Sequence, residues 1–149
     1  GNVVWGPTKI EPPLRSGTWS TDPHFITVGN RSWAAVFTEA ESGEHVVSWS
    51  ASNSRGSVNL PPDVLPLSFD SDLEHDLIAV SIEPGQGAVE EAYASVVFVV
   101  TSEKSIAARY HLRSASTAIQ FLANGRLAVT DSLPDQVRTT VLNTDSIKQ

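Results

Sequence analysis

Cysteine and methionine are both absent from this chain of 149 residues. Without cysteine the chain has no disulfide, no thiolate metal ligand and no cysteine nucleophile. Without methionine Gly1 is not an initiator position, so we expect a processed chain or a domain cut from a longer protein. The absence of cysteine does not decide between an oxidising and a reducing compartment, because an extracellular domain without disulfides can be stabilised by its core or by assembly.

Positive charge is also scarce, since 10 Lys and Arg stand against 17 Asp and Glu and give a net charge of −7. A general nucleic-acid partner is therefore not expected, because phosphate contacts need a surplus of Lys and Arg. No apolar run reaches 18 residues, so we expect no membrane insertion. The opening "GNVVWGPTK" lacks the pattern of a signal peptide. Hydrophobic residues make up 40% of the chain, enough for a folded core.

The first segment differs in composition from the rest. Residues 1–17 hold three prolines and three glycines with little periodicity, which is typical of an extended arm or hinge. Residues 18–149 are expected to form a single domain. Trp5 and Ile10 are apolar enough to pack on that domain.

Short β-rich segments punctuated by turn residues fill the remainder. In "HVVSWSAS", Val47 and Trp49 alternate with Ser48 and Ser50, which is the period of a half-buried strand. "YASVVFVVT" is apolar on both faces, as in a central strand covered on both sides. "VLPLSF" contains Pro66, which favours an edge strand or an irregular extended piece.

"AIQFLANGRLAVT" is the clearest local signal in the chain. It predicts a hairpin in which Asn124 and Gly125 take the two positive-φ positions of a type I′ turn. "GAVEEAYAS" is the best helical candidate, of one or two turns. About nine or ten strands and no repeat period predict an all-β fold, an antiparallel β-sandwich or jelly roll.

The stretch "DSDLEHD", residues 70–76, has the densest charge. Asp70, Asp72, Glu74 and Asp76 have the alternate spacing of a calcium loop, although the EF-hand pattern fails at its glycine and its last glutamate. The competing interpretation is a solvated loop whose Asp side chains close Asx-turns. We expect that structural role, with calcium bound weakly at best.

Catalytic and metal signatures are weak. His24, His45, His75 and His111 are widely spread, so we expect no zinc site, and no other cofactor motif is present. Asp22 and His24 lie two apart and could join a serine in a small hydrolase, but no G-x-S-x-G elbow exists. The sequence therefore favours a non-enzyme.

The binding candidates are aromatic and basic. Trp33 and Trp49 are expected in the core, which leaves Trp5 and Trp19 as surface or interface candidates. "SIAARYHLR" predicts a strand with Ile106, Ala108, Tyr110 and Leu112 on one face. The other face carries a basic strip of Arg109, His111 and Arg113, able to hold sialic acid or sulfate or simply to pair with acids.

A Pro-rich lead-in ("KIEPPLRSG"), an all-β body and the lack of a catalytic signature together resemble the protruding domain of a non-enveloped virus coat protein. The resemblance is one of organisation and carries over no family residue. It implies assembly into homo-oligomeric spikes and attachment to a host receptor, a glycan or a protein, at the virion surface or extracellularly. The alternative is a carbohydrate-binding or adhesin module of a secreted protein.

Overall fold

The computed structural model describes residues 3–5, 8–13, 17–20, 22–52, 54–85, 93–113 and 116–148. These residues form an all-β chain in which every strand pairing is antiparallel. The chain divides into two compact units, residues 1–62 and residues 63–149. The predicted all-β class with antiparallel strands is confirmed, and the domain boundary proposed at residue 17 stays a prediction.

The first unit has a two-stranded hairpin and a four-stranded sheet of order β3-β4-β5-β6. Its strands are β1 Val3–Trp5, β2 Thr8–Ile10, β3 Phe25–Gly29, β4 Ser32–Thr38, β5 His45–Ala51 and β6 Ser54–Asn59.

The second unit has a four-stranded sheet of order β10-β9-β8-β7 and a three-stranded sheet of order β11-β12-β13. Its strands are β7 Val64–Asp72, β8 Leu77–Pro84, β9 Ser95–Val100, β10 Ser105–His111, β11 Ser116–Phe121, β12 Leu127–Leu133 and β13 Gln136–Leu142. Two 3₁₀ turns complete it, Leu73–His75 and Asp145–Lys148. The expected nine or ten strands are too few, because the three larger sheets of the described residues hold 4, 4 and 3 strands besides the β1–β2 hairpin.

The alternation predicted for β5 is confirmed. Trp49 pairs with Ala34 on one face, and Ser48 pairs with Ala35 on the other. The serine face is nevertheless not open to water: Ser48 is buried, because a core cluster forms on that side from Ile10, Trp33, Ala35 and Phe37.

A buried glutamate, Glu39, joins Thr18, the first residue after the lead-in, to the turn that follows β4. The Glu39 carboxylate accepts the backbone N–H of Thr18 at 3.0 Å on one oxygen. Its other oxygen accepts the N–H of Glu41 at 2.8 Å, and the N–H and hydroxyl of Ser42 at 2.5 and 2.8 Å. These donors, the Ser42 N–H foremost, lower the pKa of Glu39 to about 2.

In the second unit β9 is central and wholly buried, as its apolar sequence predicts. β7 is at the edge of the same sheet, and its register shifts between Pro66 and Ser68. The edge position expected from Pro66 is therefore confirmed. The core cluster of this unit takes side chains from both sheets. Its buried residues are Ala79, Val96, Phe98, Leu112, Ile119, Leu127, Val129 and Leu142.

The hairpin around Asn124 and Gly125 is confirmed, but its predicted turn type is wrong. β11 and β12 pair through Ile119 and Val129. The Gly125 N–H donates to the Leu122 carbonyl at 2.9 Å, and only Gly125 of the two turn residues has a positive φ, +83°. A type I′ turn needs positive φ at both of its central positions. This loop is therefore not a two-residue type I′ turn but a longer loop that ends in a left-handed glycine.

The face assignment predicted for β10 is wrong at one end. The register of β10 against β9 shifts between Ile106 and Ala108. This bulge moves Ile106 to the face that carries Arg109, because an inserted residue reverses the alternation on one side of it. Six residues of the helical candidate, 87–92, lie outside the described residues, and Ser95 begins β9.

Candidate ligand-binding site

The edge strand β10 brings two of the predicted basic residues together. Arg109 pairs with Val97 and His111 pairs with Ser95, so the two side chains leave the same face of the sheet. Both are exposed. Arg113 is exposed as well, but it follows the end of the strand, and within the described residues no contact joins it to the other two.

Tyr93 completes the group. Its ring lies 3.8 Å from the His111 ring between centroids, at an interplanar angle of 35°. The Arg109 guanidinium carbon is 5.5 Å from the centre of the same Tyr93 ring. Arg109 also donates from Nε to the Ser95 hydroxyl at 2.7 Å, which fixes the guanidinium plane. We call Tyr93, Ser95, Arg109 and His111 the Tyr93 cluster.

The Tyr93 cluster combines a stacked aromatic ring with a cation that has no acidic partner in the described part of the chain. The Arg109 Nε is used by Ser95, and the terminal nitrogens keep their donors for a ligand. A guanidinium presents two parallel N–H groups that match the oxygens of a carboxylate or a sulfate. The arrangement therefore suits a ligand with an acidic group and a flat or apolar body.

Tyr93 was missed at the sequence level, because the bulge between Ile106 and Ala108 makes a count outward from the β9–β10 turn wrong by one residue. The observed register explains its position. Ser95 opposite His111 is the last paired position, and the Leu112 N–H still donates to the Ala94 carbonyl at 2.9 Å. Counting one step further places Tyr93 beside the basic strip.

The four tryptophans divide in burial. Trp33 and Trp49 are buried, at 5% and 0% exposure, so their predicted core positions are confirmed. Trp19 is partly buried and packs against the core cluster of the first unit. Trp5 belongs to β1, and its side chain lies outside the described residues. The binding roles of Trp5 and Trp19 stay predictions.

The acidic stretch is partly strand and partly 3₁₀ turn. Asp72 ends β7 and caps the turn, accepting the His75 N–H at 3.3 Å, and it holds the His75 ring at 2.7 Å between Oδ2 and Nδ1. Asp76 accepts the Ser102 N–H at 2.8 Å and the Thr101 hydroxyl. These carboxylates thus serve as acceptors for protein donors, which is the capping chemistry expected of Asp.

A groove of about 580 Å³ runs beside this stretch and is open to solvent. Its lining includes Asp70, Asp72, Glu74 and His75 on one side and residues 119–123 on the other. Among the described residues, no three His, Asp or Glu side chains are grouped so that they could hold a metal ion.

The other histidines have local partners. His45 meets the Thr38 hydroxyl at 2.9 Å, and burial, with the nearby His24, lowers the pKa of His45. The His24 and His45 rings lie edge to face with centroids 6.3 Å apart. Asp22 receives no bond from His24 within the described residues; its own N–H donates to the Ser20 hydroxyl at 3.1 Å. The structure therefore does not bring Asp22 and His24 together as a catalytic pair.

No family model, curated protein sequence or solved structure matches the chain. No helix among the described residues has the length and apolar character needed to cross a membrane. The chain's own residues therefore carry the functional argument.

Proposed function

We propose that the chain is a non-enzymatic recognition domain that attaches to an acidic glycan through the Tyr93 cluster. One observation carries the proposal: Arg109 is oriented by Ser95 and Tyr93 but has no carboxylate partner in the described residues of an acidic chain. A cation held in place without an acid is preorganised for an external anion. Stacked aromatic residues beside it would support the sugar ring.

The proposal includes an extracellular or virion-surface setting and a sandwich architecture for the second unit. The core cluster that joins its four-stranded and three-stranded sheets supports the sandwich. The setting rests on the organisation of the sequence, in which a Pro-rich lead-in precedes an all-β body.

Self-association into spikes is the second part of the proposal. Val137 and Val141 lie on the outer face of β13, which is the edge strand of its sheet, and they are 70% and 51% exposed. Exposed valines on an edge strand favour contact with another chain. If the chain is monomeric, the proposal narrows to the alternative, a glycan-binding module of a secreted protein.

A titration with sialylated and sulfated lactose against plain lactose tests the glycan proposal. The acidic sugars should bind, and plain lactose should bind at least tenfold more weakly, because only the acidic group engages the guanidinium. Binding should weaken with added salt. Arg109→Met should abolish the preference, and Arg109→Lys should restore only part of it, because an ammonium lacks the bidentate fork.

The matched control is Arg126→Met, which removes an exposed arginine from the same unit and should leave binding unchanged. Equal affinity for acidic and plain lactose, or full binding by Arg109→Met, would contradict the proposal.

A further inference from the structure

The edge strands of the second unit differ in how they are protected. They are β10 and β7 in one sheet and β11 and β13 in the other. An edge strand presents unpaired backbone N–H and C=O groups to another chain, and proteins commonly interrupt such edges with bulges, prolines or charges. The register shifts in β7, β10 and β11, and β7 also contains Pro66. Among these described edges, only β13 pairs with its neighbour without a shift, from Gln136 to Leu142.

The residues of β13 add no barrier of their own. Its sequence, QVRTTVL, has no proline, lysine or acid, and valine and threonine favour extended backbone. Its one charged residue, Arg138, is bonded within its own sheet, where Nε and Nη2 donate to the Asp131 carboxylate at 3.3 and 2.7 Å. The ion pair leaves this edge without net charge. In a chain of charge −7, such an edge lets a second copy come close without repulsion between acids.

The outer face of β13 is symmetric about its middle residue, Thr139. Val137 stands two positions before Thr139 and is 70% exposed, and Val141 stands two positions after it and is 51% exposed. The three side chains share a face, because alternate residues of a strand point the same way. Thr139 is exposed as well, and its hydroxyl lies 3.3 Å from that of Thr130 on β12. This face reads the same from either end, which suits an antiparallel copy of the same strand.

We propose that two copies of the chain pair through β13, antiparallel and in a register centred on Thr139. Thr139 then lies opposite the partner's Thr139, Val137 opposite the partner's Val141, and Arg138 opposite the partner's Thr140. The valines cover each other, and no arginine faces an arginine, so the cross-strand pairs are favourable. The two three-stranded sheets become one sheet of six strands around a two-fold axis.

The valine positions favour this register over its neighbours. Strand addition takes its affinity from main-chain hydrogen bonds, and the side chains of alternate residues set its register. A shift of two residues in one direction would place Val137 opposite the partner's Asn143, and a shift in the other would place Val141 opposite the partner's Asp135. Either shift breaks the pairing of valine with valine. The register centred on Thr139 is therefore the one that buries both exposed valines against apolar partners.

This inference rests on the self-association in the proposed function and adds its geometry. Exposed valines alone would also allow two sheets to pack face to face. Edge pairing and face packing place different residues at the two-fold axis, so cross-linking separates them. In edge pairing Thr139 meets its own copy, whereas β11 stays two strands away from the axis in each chain.

Single cysteines test the pairing, because the chain contains no cysteine of its own. Thr139→Cys should form a disulfide-linked dimer as its main species under mild oxidation. Opposed residues of an antiparallel pair have Cα atoms about 4.5–5.5 Å apart, which a disulfide can span. The matched control is Gln120→Cys, an exposed position on the same outer face of β11, which should remain monomeric in non-reducing electrophoresis. A disulfide in Gln120→Cys and none in Thr139→Cys would overturn the edge pairing.

Val137→Cys and Val141→Cys test the register. Neither variant should cross-link alone, because each position lies four residues from its own copy, about 13 Å at about 3.3 Å per residue. Mixed together they should give a disulfide between one chain of each kind, which mass spectrometry identifies when one variant is labelled with ¹⁵N. A cross-linked dimer of either variant with itself, and none between the two, would overturn the register.

Amide hydrogen exchange gives a readout without substitution. Alternate amides of β13 should exchange more slowly as the protein concentration rises, because they gain acceptors only in the dimer. Sedimentation of the same samples separates the two levels of the proposal. Self-association without slower exchange in β13, or a trimer, would overturn the edge pairing and leave self-association standing. A monomer at every concentration would overturn both, and neither outcome bears on the acidic-glycan site.

Discussion

The Asp70 carboxylate and the backbone N–H of Phe121 lie 2.7 Å apart, between Oδ2 and N. An acid from the most charged stretch of the chain thus satisfies a backbone donor of β11, 51 residues further along. Asp72 and Asp76 likewise accept protein donors at the 3₁₀ turn and at the turn after β9. The three carboxylates therefore act as acceptors for protein N–H groups.

Calcium should have little effect on stability. The Asp70, Asp72 and Asp76 carboxylates already accept hydrogen bonds, so a cation would compete with these contacts. We expect the same Tm in calcium and in chelator. A true site saturated at a hundred times its Kd would add about 2.7 kcal/mol and raise the Tm plainly. A calcium-dependent rise that Asp72→Asn abolishes would contradict the structural role.

Removing Asp70 should destabilise the second unit. Asp70→Ala leaves the part-buried Phe121 N–H without its acceptor, which costs about 1–3 kcal/mol. Urea unfolding measures the loss. Glu74→Ala, an exposed acid of the same stretch, is the control and should stay within about 0.5 kcal/mol of the wild type. Equal effects of the two changes would count against the bond.

Gly125 should resist substitution. Its φ of +83° is one that a β-branched residue rarely adopts, so Gly125→Val should cost more than about 1 kcal/mol. Its carbonyl also accepts the buried Thr144 hydroxyl at 2.7 Å, so a shift of this turn would disturb a second contact. Ala123→Val in the same loop, exposed and without a positive φ, is the comparison. Unchanged stability of Gly125→Val in urea would mean that the turn differs from the one described.

Glu39 should make stability depend on pH in the acid range. Because its folded pKa is about 2 and its ordinary value is 4.5, its stabilisation is complete above pH 4.5 and is lost as the pH falls toward 2. Glu39→Gln should therefore be less stable at neutral pH, and its difference from the wild type should shrink across that window. Urea midpoints measured in steps from about pH 6 to about pH 2 give the comparison.

Glu41→Gln removes the same charge from the same turn and should keep the wild-type acid profile. A wild-type profile in Glu39→Gln would show that the charge of the carboxylate does not stabilise its bonds to Thr18, Glu41 and Ser42.

The chain should self-associate at micromolar concentration. A specific interface buries about 1,200–2,000 Å², and the exposed valines of β13 supply apolar area for one. Sedimentation should reveal a dimer or trimer, and Val137→Lys together with Val141→Lys should shift it to monomer. The matched control is Leu65→Lys, which places the same charge on the proline-containing edge strand β7 and should leave the association unchanged. A monomer throughout the range would favour the secreted binding module.

Local pattern predicted much of the fold. The alternation of Trp49 with Ser48, the continuous apolar run of β9 and the proline in β7 each placed a strand correctly, because side-chain period and ladder donors are properties of a few neighbouring residues. The hairpin at Gly125 followed from turn chemistry in the same way.

Features that depend on distant residues were not predictable from such patterns. The bulge in β10 leaves no mark in composition, yet it changes the face of Ile106. Tyr93 joins Arg109 and His111 only through strand pairing. Ser48 was expected on a polar face, and it is buried because residues nearly forty positions earlier cover it.

Ile10 shows what that covering means for handling the protein. It retains 1% of its surface exposed and shares the core of the first unit with Trp33 and Phe37. A shortened chain that begins at residue 18 would uncover these two aromatic side chains and remove Glu11 from Arg55. Such a chain should precipitate on expression or need detergent to stay in solution. Ile10, within the segment that composition marks as a tether, thus belongs to the core, and its loss with that segment would leave an aggregation-prone unit.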